Sequence, residues 1–155
     1  MIKTVQISEK EAWDLAFNAL VNNKTTEDNA KEVADALISA EFDGQSGHGL
    51  SRIPSYVEQL TSGKVNGNEA PSILSSKGSV LRVDANNGFA YPAISLALKE
   101  ITSTCKKFGI AAASISRSHH FGQAGRHVEI LAENGLIGLM FGNTPQAIPP
   151  WGGTK

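Results

Sequence analysis

Three short apolar runs, SVLRVDA (79–85), GIAAASIS (109–116) and LIGLMFGN (136–143), alternate with two longer stretches whose apolar residues recur at helical spacing. Strand-length runs interleaved with helical ones describe a sheet whose strands are connected by helices, so the second half of the chain reads as α/β. SVLRVDA alternates in polarity. GIAAASIS and LIGLMFGN are nearly continuous, the pattern expected of strands buried on both faces. Helices are predicted over 90–107, with Ile94, Leu98 and Ile101 on one face, and over 123–134, stopped at Gly135.

The first 62 residues show helical periodicity alone. Ser8 and Glu11 have capping-box spacing ahead of a helix over 8–22, with Trp13, Leu15, Ala16, Ala19 and Leu20 as its apolar residues. A second helix is predicted from Thr25 or Thr26, with a stripe of Ala30, Val33, Ala34, Leu37 and Ile38. Gly44 and Gly47 mark its end. Pro54 suits the first turn of a third helix carrying Tyr56, Val57 and Leu60, with Gly63 as its stop. Turn formers dominate 62–78, SGKVNGNEAPSILSSKG. The organisation expected is a helical N-terminal segment (1–62), a loop (63–78) and the first part of an α/β domain (79–155). Sheets usually have about 4–6 strands, so three strands running into the Pro/Gly-rich NTPQAIPPWGGTK predict the N-terminal part of a longer protein. The alternative is a complete small domain with a loose tail. There is no internal repeat and no low-complexity tract.

With 41% apolar and 19% charged residues and a net charge of -1, the chain has ordinary globular composition and no basic face for nucleic acid or acidic membranes. Cys105 is the sole cysteine, so no internal disulfide forms. Nothing resembles a signal peptide, and no stretch approaches the roughly 20 apolar residues that span a bilayer. A soluble cytoplasmic protein is the expectation.

The titratable candidates fall in two places. In DGQSGHGLSRIP, His48 and Arg52 stand four residues apart. Arginine offers a planar fork for a carboxylate, and histidine exchanges protons with a hydroxyl or carbonyl, a combination suited to a small hydroxy or keto acid. An exposed histidine beside an arginine paired with a surface acid is the plainer alternative. In SRSHHFGQAGRHVEIL, His119 and His120 sit at the carboxyl end of a predicted strand, where α/β sheets gather ligands. Capping of the next helix is equally compatible with this pair. Strand alternation would point the two rings in opposite directions. His127 falls seven residues after His120. Two histidines do not make a zinc site, which needs three or four protein ligands, so no metal is expected. Cys105, mid-helix among threonine and lysine, reads as structural. No glycine-rich dinucleotide or P-loop fingerprint is present.

Several segments, in order, resemble the malate/L-lactate dehydrogenase family, which includes ureidoglycolate, sulfolactate and diketogulonate dehydrogenases. They are GHGLSRIPSYVEQLTSGKVN, DANNGFAYPAISLALKEI and GIAAASISRSHHFGQAGRHVEILAENGLIGLMFGNTPQAIPPWGG. The first resembles the family's S-H-G-x-x-R-x-x-x-Y segment and its Gly-Lys turn. The third resembles its strand, (N/H)-H-F-G, helix, strand, N-T-P and P-W-G-G run. One departure is Gly47, where the family usually carries the serine hydroxyl that could orient His48.

The resemblance implies a truncated non-Rossmann dehydrogenase fold: N-terminal helices, then a strand–helix–strand–helix–strand unit. It implies an NAD- or NADP-dependent homodimer that interconverts a 2-hydroxy acid and its 2-keto acid. His48 and His120 would then be the proton-transfer candidates and Arg52 the carboxylate anchor. His120, Thr144, Trp151, Gly152 and Gly153 would lie on the cofactor side. An inactive fragment or association module, lacking later cofactor contacts, is the second expectation.

Overall fold

The computed structural model describes residues 5–144 together with 152 and 153. Helix α1 (Glu9–Val21) begins with the predicted capping box: Ser8 N–H donates to the Glu11 carboxylate at 2.8 Å, and Glu11 N–H donates to Ser8 Oγ at 3.3 Å. Helix α2 (Glu27–Phe42) is capped by Thr26, which accepts from Asn29 N–H. The Asn29 side chain donates in turn to the carbonyls of Gly67 and Glu69, tying α2 to the chain entering the sheet. Gly44, at φ +69°, turns the chain out of α2. Helix α3 (Ile53–Thr61) carries Pro54 in its first turn, as expected.

These three helices share one apolar core. Leu20, Val33, Leu37, Tyr56 and Leu60 are buried there with Phe89 and Tyr91, which arrive from the start of α4 (Ala90–Phe108). Each fully buried leucine stabilises the fold by about 1.5–3 kcal/mol relative to an exposed one.

The sheet has three strands in the order β1 (Ser72–Lys77), β2 (Val80–Asp84), β3 (Ala112–Ser116). β1 and β2 form an antiparallel hairpin across Gly78 and Ser79, and Gly78 supplies the positive φ, +58°, that a tight turn requires. β3 runs parallel to β2 and is reached through α4. Ala93 and Ala97 of α4 pack on Leu81, Val83 and Ala85, small side chains allowing the helix to lie close on the sheet. Helix α5 (Ala124–Glu133) sets Leu131 against Ile94 and Leu98 on another side of α4.

Three expectations need correction. The predicted loop 63–78 contains β1, whose serine-rich residues form a ladder with β2 without burying a face. Residues 136–143 form no strand: the segment has no ladder partner among the described residues, and Ile137 (96%), Leu139 (81%) and Phe141 (89%) are exposed. GIAAASIS does supply β3, but as a largely exposed strand, since among the described residues only β2 pairs with it and α4 covers little more than Ile115. No described helix is long and apolar enough to cross a membrane.

Candidate functional site

Two 3-10 turns, Ser46–His48 and Leu50–Arg52, carry the first candidates. Both are pinned from α2. The Glu41 carboxylate accepts from Leu50 N–H at 2.7 Å, and a Cβ at Gly49 would overlap that carboxylate, so only glycine lets it reach. Arg52 Nε donates to the Gly47 carbonyl. Gly47 thus contributes to the turn through its backbone. Among the described residues no carboxylate forms an ion pair with Arg52.

The second group is placed by the sheet. Beyond β2 and β3 the ladder continues as single bonds: Ala85 N–H to the Ser116 carbonyl, Asn87 N–H to that of Arg117, and His119 N–H to that of Gly88. Arg117 adds a two-pronged contact to Asp84, Nε to Oδ1 at 2.9 Å and Nη2 to Oδ2 at 2.6 Å. Arg117, followed by the Asn86 backbone N–H, holds the Asp84 carboxyl below its usual range. The loop after β3 is therefore fixed to the sheet.

That loop and the helical turns meet. The His48 and His120 rings stack with centroids 5.5 Å apart and planes 14° from parallel. His120 Nδ1 lies 2.9 Å from the Tyr56 hydroxyl, and that hydroxyl lies 2.9 Å from the Tyr91 hydroxyl. His119 was expected to turn away from His120, but both rings pack on Tyr56, with centroid distances of 5.2 and 6.2 Å. The reason is local: both residues follow the last residue of β3, where strand alternation no longer applies. His119 Nε2 donates to Gln59 Oε1 at 2.5 Å, while its Nδ1 is buried with no hydrogen-bond partner among the described residues.

Burial, then the charges of Arg52 and His48, pushes His120 down to about 4. His119 is lowered to about 4 by burial, by His120 and by Lys64. Both rings are neutral at physiological pH. Burial raises the Tyr56 and Tyr91 phenols well above their ordinary value, so both keep their protons.

His127 belongs elsewhere. It is buried in α5, and its Nε2 donates to the Phe121 carbonyl at 2.8 Å. His120 lies outside that helix, so the two do not share its face. Cys105 sits near the end of α4, its thiol 3.7 Å from the Gly109 carbonyl. Thr144, Gly152 and Gly153 are exposed, and Trp151 lies outside the described residues. Gly142, two positions before Thr144, lies against the Phe121 ring, so the extended segment passes beside the His120 loop. Among the described residues no group of three or more His, Cys, Asp or Glu could hold a metal.

The structure thus brings His48, Arg52 and His120 to one place. It keeps His119 beside them and adds the hydrogen-bonding groups of Tyr56, Tyr91 and Gln59, to which the sequence assigns no role. In the sequence Tyr56 is an apolar helix position and the last residue of the family segment, and a buried tyrosine implies a partner for its hydroxyl. A guanidinium beside two stacked, flat imidazoles can take the carboxylate of a small acid, and the ring faces suit the planar reacting end of a nicotinamide cofactor.

Residues 7–155 match the profile of malate/L-lactate dehydrogenase. The chain is 44% identical over 149 residues to the (2R)-3-sulfolactate dehydrogenase (NADP(+)) of Chromohalobacter salexigens, covering 96% of this chain and 44% of that protein. It is 31% identical over 151 residues to the malate dehydrogenase of Pyrococcus abyssi, covering 97% of this chain and 42% of that one. Among solved structures, Δ1-piperideine-2-carboxylate reductase from Pseudomonas syringae superposes with a TM-score of 0.80 at 36% identity, covering 85% of this chain and 40% of that one. Malate dehydrogenase from Entamoeba histolytica gives 0.81 at 28% identity, covering 86% and 37%. The chain spans less than half the length of the curated relatives it matches.

Proposed function

Because the chain belongs to the malate/L-lactate dehydrogenase family, we propose that it builds one wall of the active site of an NAD(P)-dependent oxidoreductase interconverting a small 2-hydroxy acid and its 2-keto acid. The observation that carries this reading is the stacked His48–His120 pair beside the Arg52 guanidinium. Arg52 takes the substrate carboxylate through its planar fork. That orients the neighbouring C2 oxygen toward the imidazoles. His120, being neutral, polarises this oxygen by donating a hydrogen bond and does not repel Arg52. The proton that the C2 oxygen gains on reduction comes from His48, or from His120 once that ring has taken up a second proton, and returns to the same ring when the hydroxyl is oxidised. The cofactor would lie against His120 and Thr144, with Trp151, Gly152 and Gly153 shaping that side, and it supplies or accepts the hydride at C2. We take the working form to be a cytoplasmic homodimer.

A second reading applies to residues 1–155 by themselves. Exposure of Ile137, Leu139 and Phe141 beside an edge strand favours a segment that associates with further protein before it acts.

The test is an NAD(P)H oxidation assay of the natural gene product with a panel of 2-keto acids, and with cyclic 2-imino acids as the contrasting substrates. Turnover of one or more 2-keto acids supports the reading. Oxidation with imino acids alone, or with neither class, refutes it.

A further inference from the structure

Tyr91, Tyr56 and His120 form one hydrogen-bonded line from the interior to the half-buried His120 ring, with both steps 2.9 Å. Both tyrosines are almost fully buried, at 1% and 3% exposure, so neither hydroxyl can turn to water. Such a line has a polarity, and it can run either way, because each phenol can donate or accept.

A fourth group shows which way it runs. The backbone N–H of Gly122 is directed at His120 Nδ1, 3.4 Å away. The bond is long, but a backbone N–H can only donate. His120 Nδ1 must therefore present its lone pair, and the single proton of the neutral ring sits on Nε2. Tyr56 has one hydrogen and donates it to Nδ1. Its oxygen then accepts from Tyr91. Gly122 is suited to this in two ways. Its φ of +69° is one that L side chains rarely adopt, and a Cβ there would come within 2.8 Å of the Tyr91 hydroxyl.

We infer that Tyr91 is a positioning residue. Acting through Tyr56, it holds His120 as the Nε2–H tautomer, with the donor on the ring edge away from the tyrosines. His120 then meets the C2 oxygen as an uncharged hydrogen-bond donor and does not have to change tautomer first. The identity of that oxygen rests on the function proposed above. The tautomer itself does not.

The test is nitrogen-15 NMR of the histidine-labelled 155-residue chain near neutral pH, joined to kinetics of the natural gene product. In the parent, His120 Nδ1 should resonate as a bare imidazole nitrogen and Nε2 as a protonated one. In Tyr91→Phe, Tyr56 loses its donor and is free to accept from the ring, so the two His120 nitrogen resonances should move toward each other. Loss of one such bond should lower kcat roughly 2- to 10-fold with KM within about twofold. A protonated Nδ1 in the parent overturns the inference. So do unchanged resonances in Tyr91→Phe. Should that variant fail to fold, 3-fluorotyrosine at position 91 keeps the side chain and makes it a stronger donor. It shifts the Nδ1 resonance if Tyr91 ends the line and leaves it unmoved if not. If the resonances behave as expected but no 2-keto acid is reduced, the proposed function fails and this inference stands. If turnover occurs and the resonances ignore Tyr91, the reverse holds.

Discussion

Acidification from about pH 7.5 to about pH 5 should remove several kcal/mol of this chain's stability, and the histidines beside Tyr56 should carry most of the loss. Both His119 and His120 are held down to about 4 in the fold, chiefly by burial. An unfolded chain returns each to about 6.5. Below that value the unfolded state binds protons that the folded state refuses. Stability is therefore full above about pH 6.5 and declines as the pH falls toward 4. At about pH 5 each ring is some 1.5 pH units below its unfolded value, equivalent to about 2 kcal/mol at 1.36 kcal/mol per unit. Water reaching the partly open cleft screens this, so about 1–2 kcal/mol per ring is expected. His127, also lowered by burial, adds in the same direction. Asp84 and Glu11, held below their usual values by Arg117 and Ser8, titrate beneath this window. Urea unfolding followed by far-ultraviolet circular dichroism at several pH values measures the slope. His119→Gln should flatten it by about one ring's share. A parent chain equally stable at about pH 5 and about pH 7.5, within about 0.5 kcal/mol, would refute the reasoning.

Two further outcomes follow from the site and the sheet edge. Arg52→Lys in the natural gene product replaces a fork with a point charge. It should lower kcat/KM roughly 10- to 150-fold, mainly through KM, for a loss of about 1.5–3 kcal/mol; a change within about twofold would remove Arg52 as the carboxylate anchor. Residues 1–155 alone should self-associate through β3 and the exposed 137–141 run and show little or no reduction of 2-keto acids. Sedimentation and the NADH assay together check this, and a stable monomer with ordinary turnover would contradict it.

The helical half was legible because its signals are local. Ser8 and Glu11, Thr26, and Pro54 each act within one turn, and all three helices begin where those residues place them. The sheet was less so. β1 is held by its ladder with β2, and a run such as SILSSK carries no apolar alternation to announce that. The apolar runs at 109–116 and 136–143 announced burial, but burial needs a neighbour, and the second edge of β3 has none among the described residues. His48, Arg52 and His120 were legible as chemistry and through the family motifs. Their partners were not. Tyr56 and Tyr91 are 35 positions apart, and Tyr56 and His120 64, so those hydrogen bonds exist only once the helices have packed on the sheet.

The two stacked imidazoles hang from different parts of the molecule. His48 and Arg52 follow from the end of α2, whereas His120 is bolted to the strands through Gly88 and the Arg117–Asp84 pair. The cleft is thus a seam between two bodies, and its gauge is set wherever those bodies touch. One such place is the 2.7 Å contact from Ser95 on α4 to Glu32 on α2, which lies outside the ring cluster. A change that lets α2 slide along α4 reaches the reacting groups as a mismatch in alignment, with every side chain of the site still present. Under the proposed function, hydride transfer tolerates little displacement, about 1 Å costing roughly 100-fold, so the rate would depend on the fit of the scaffold as well as on the identity of the histidines.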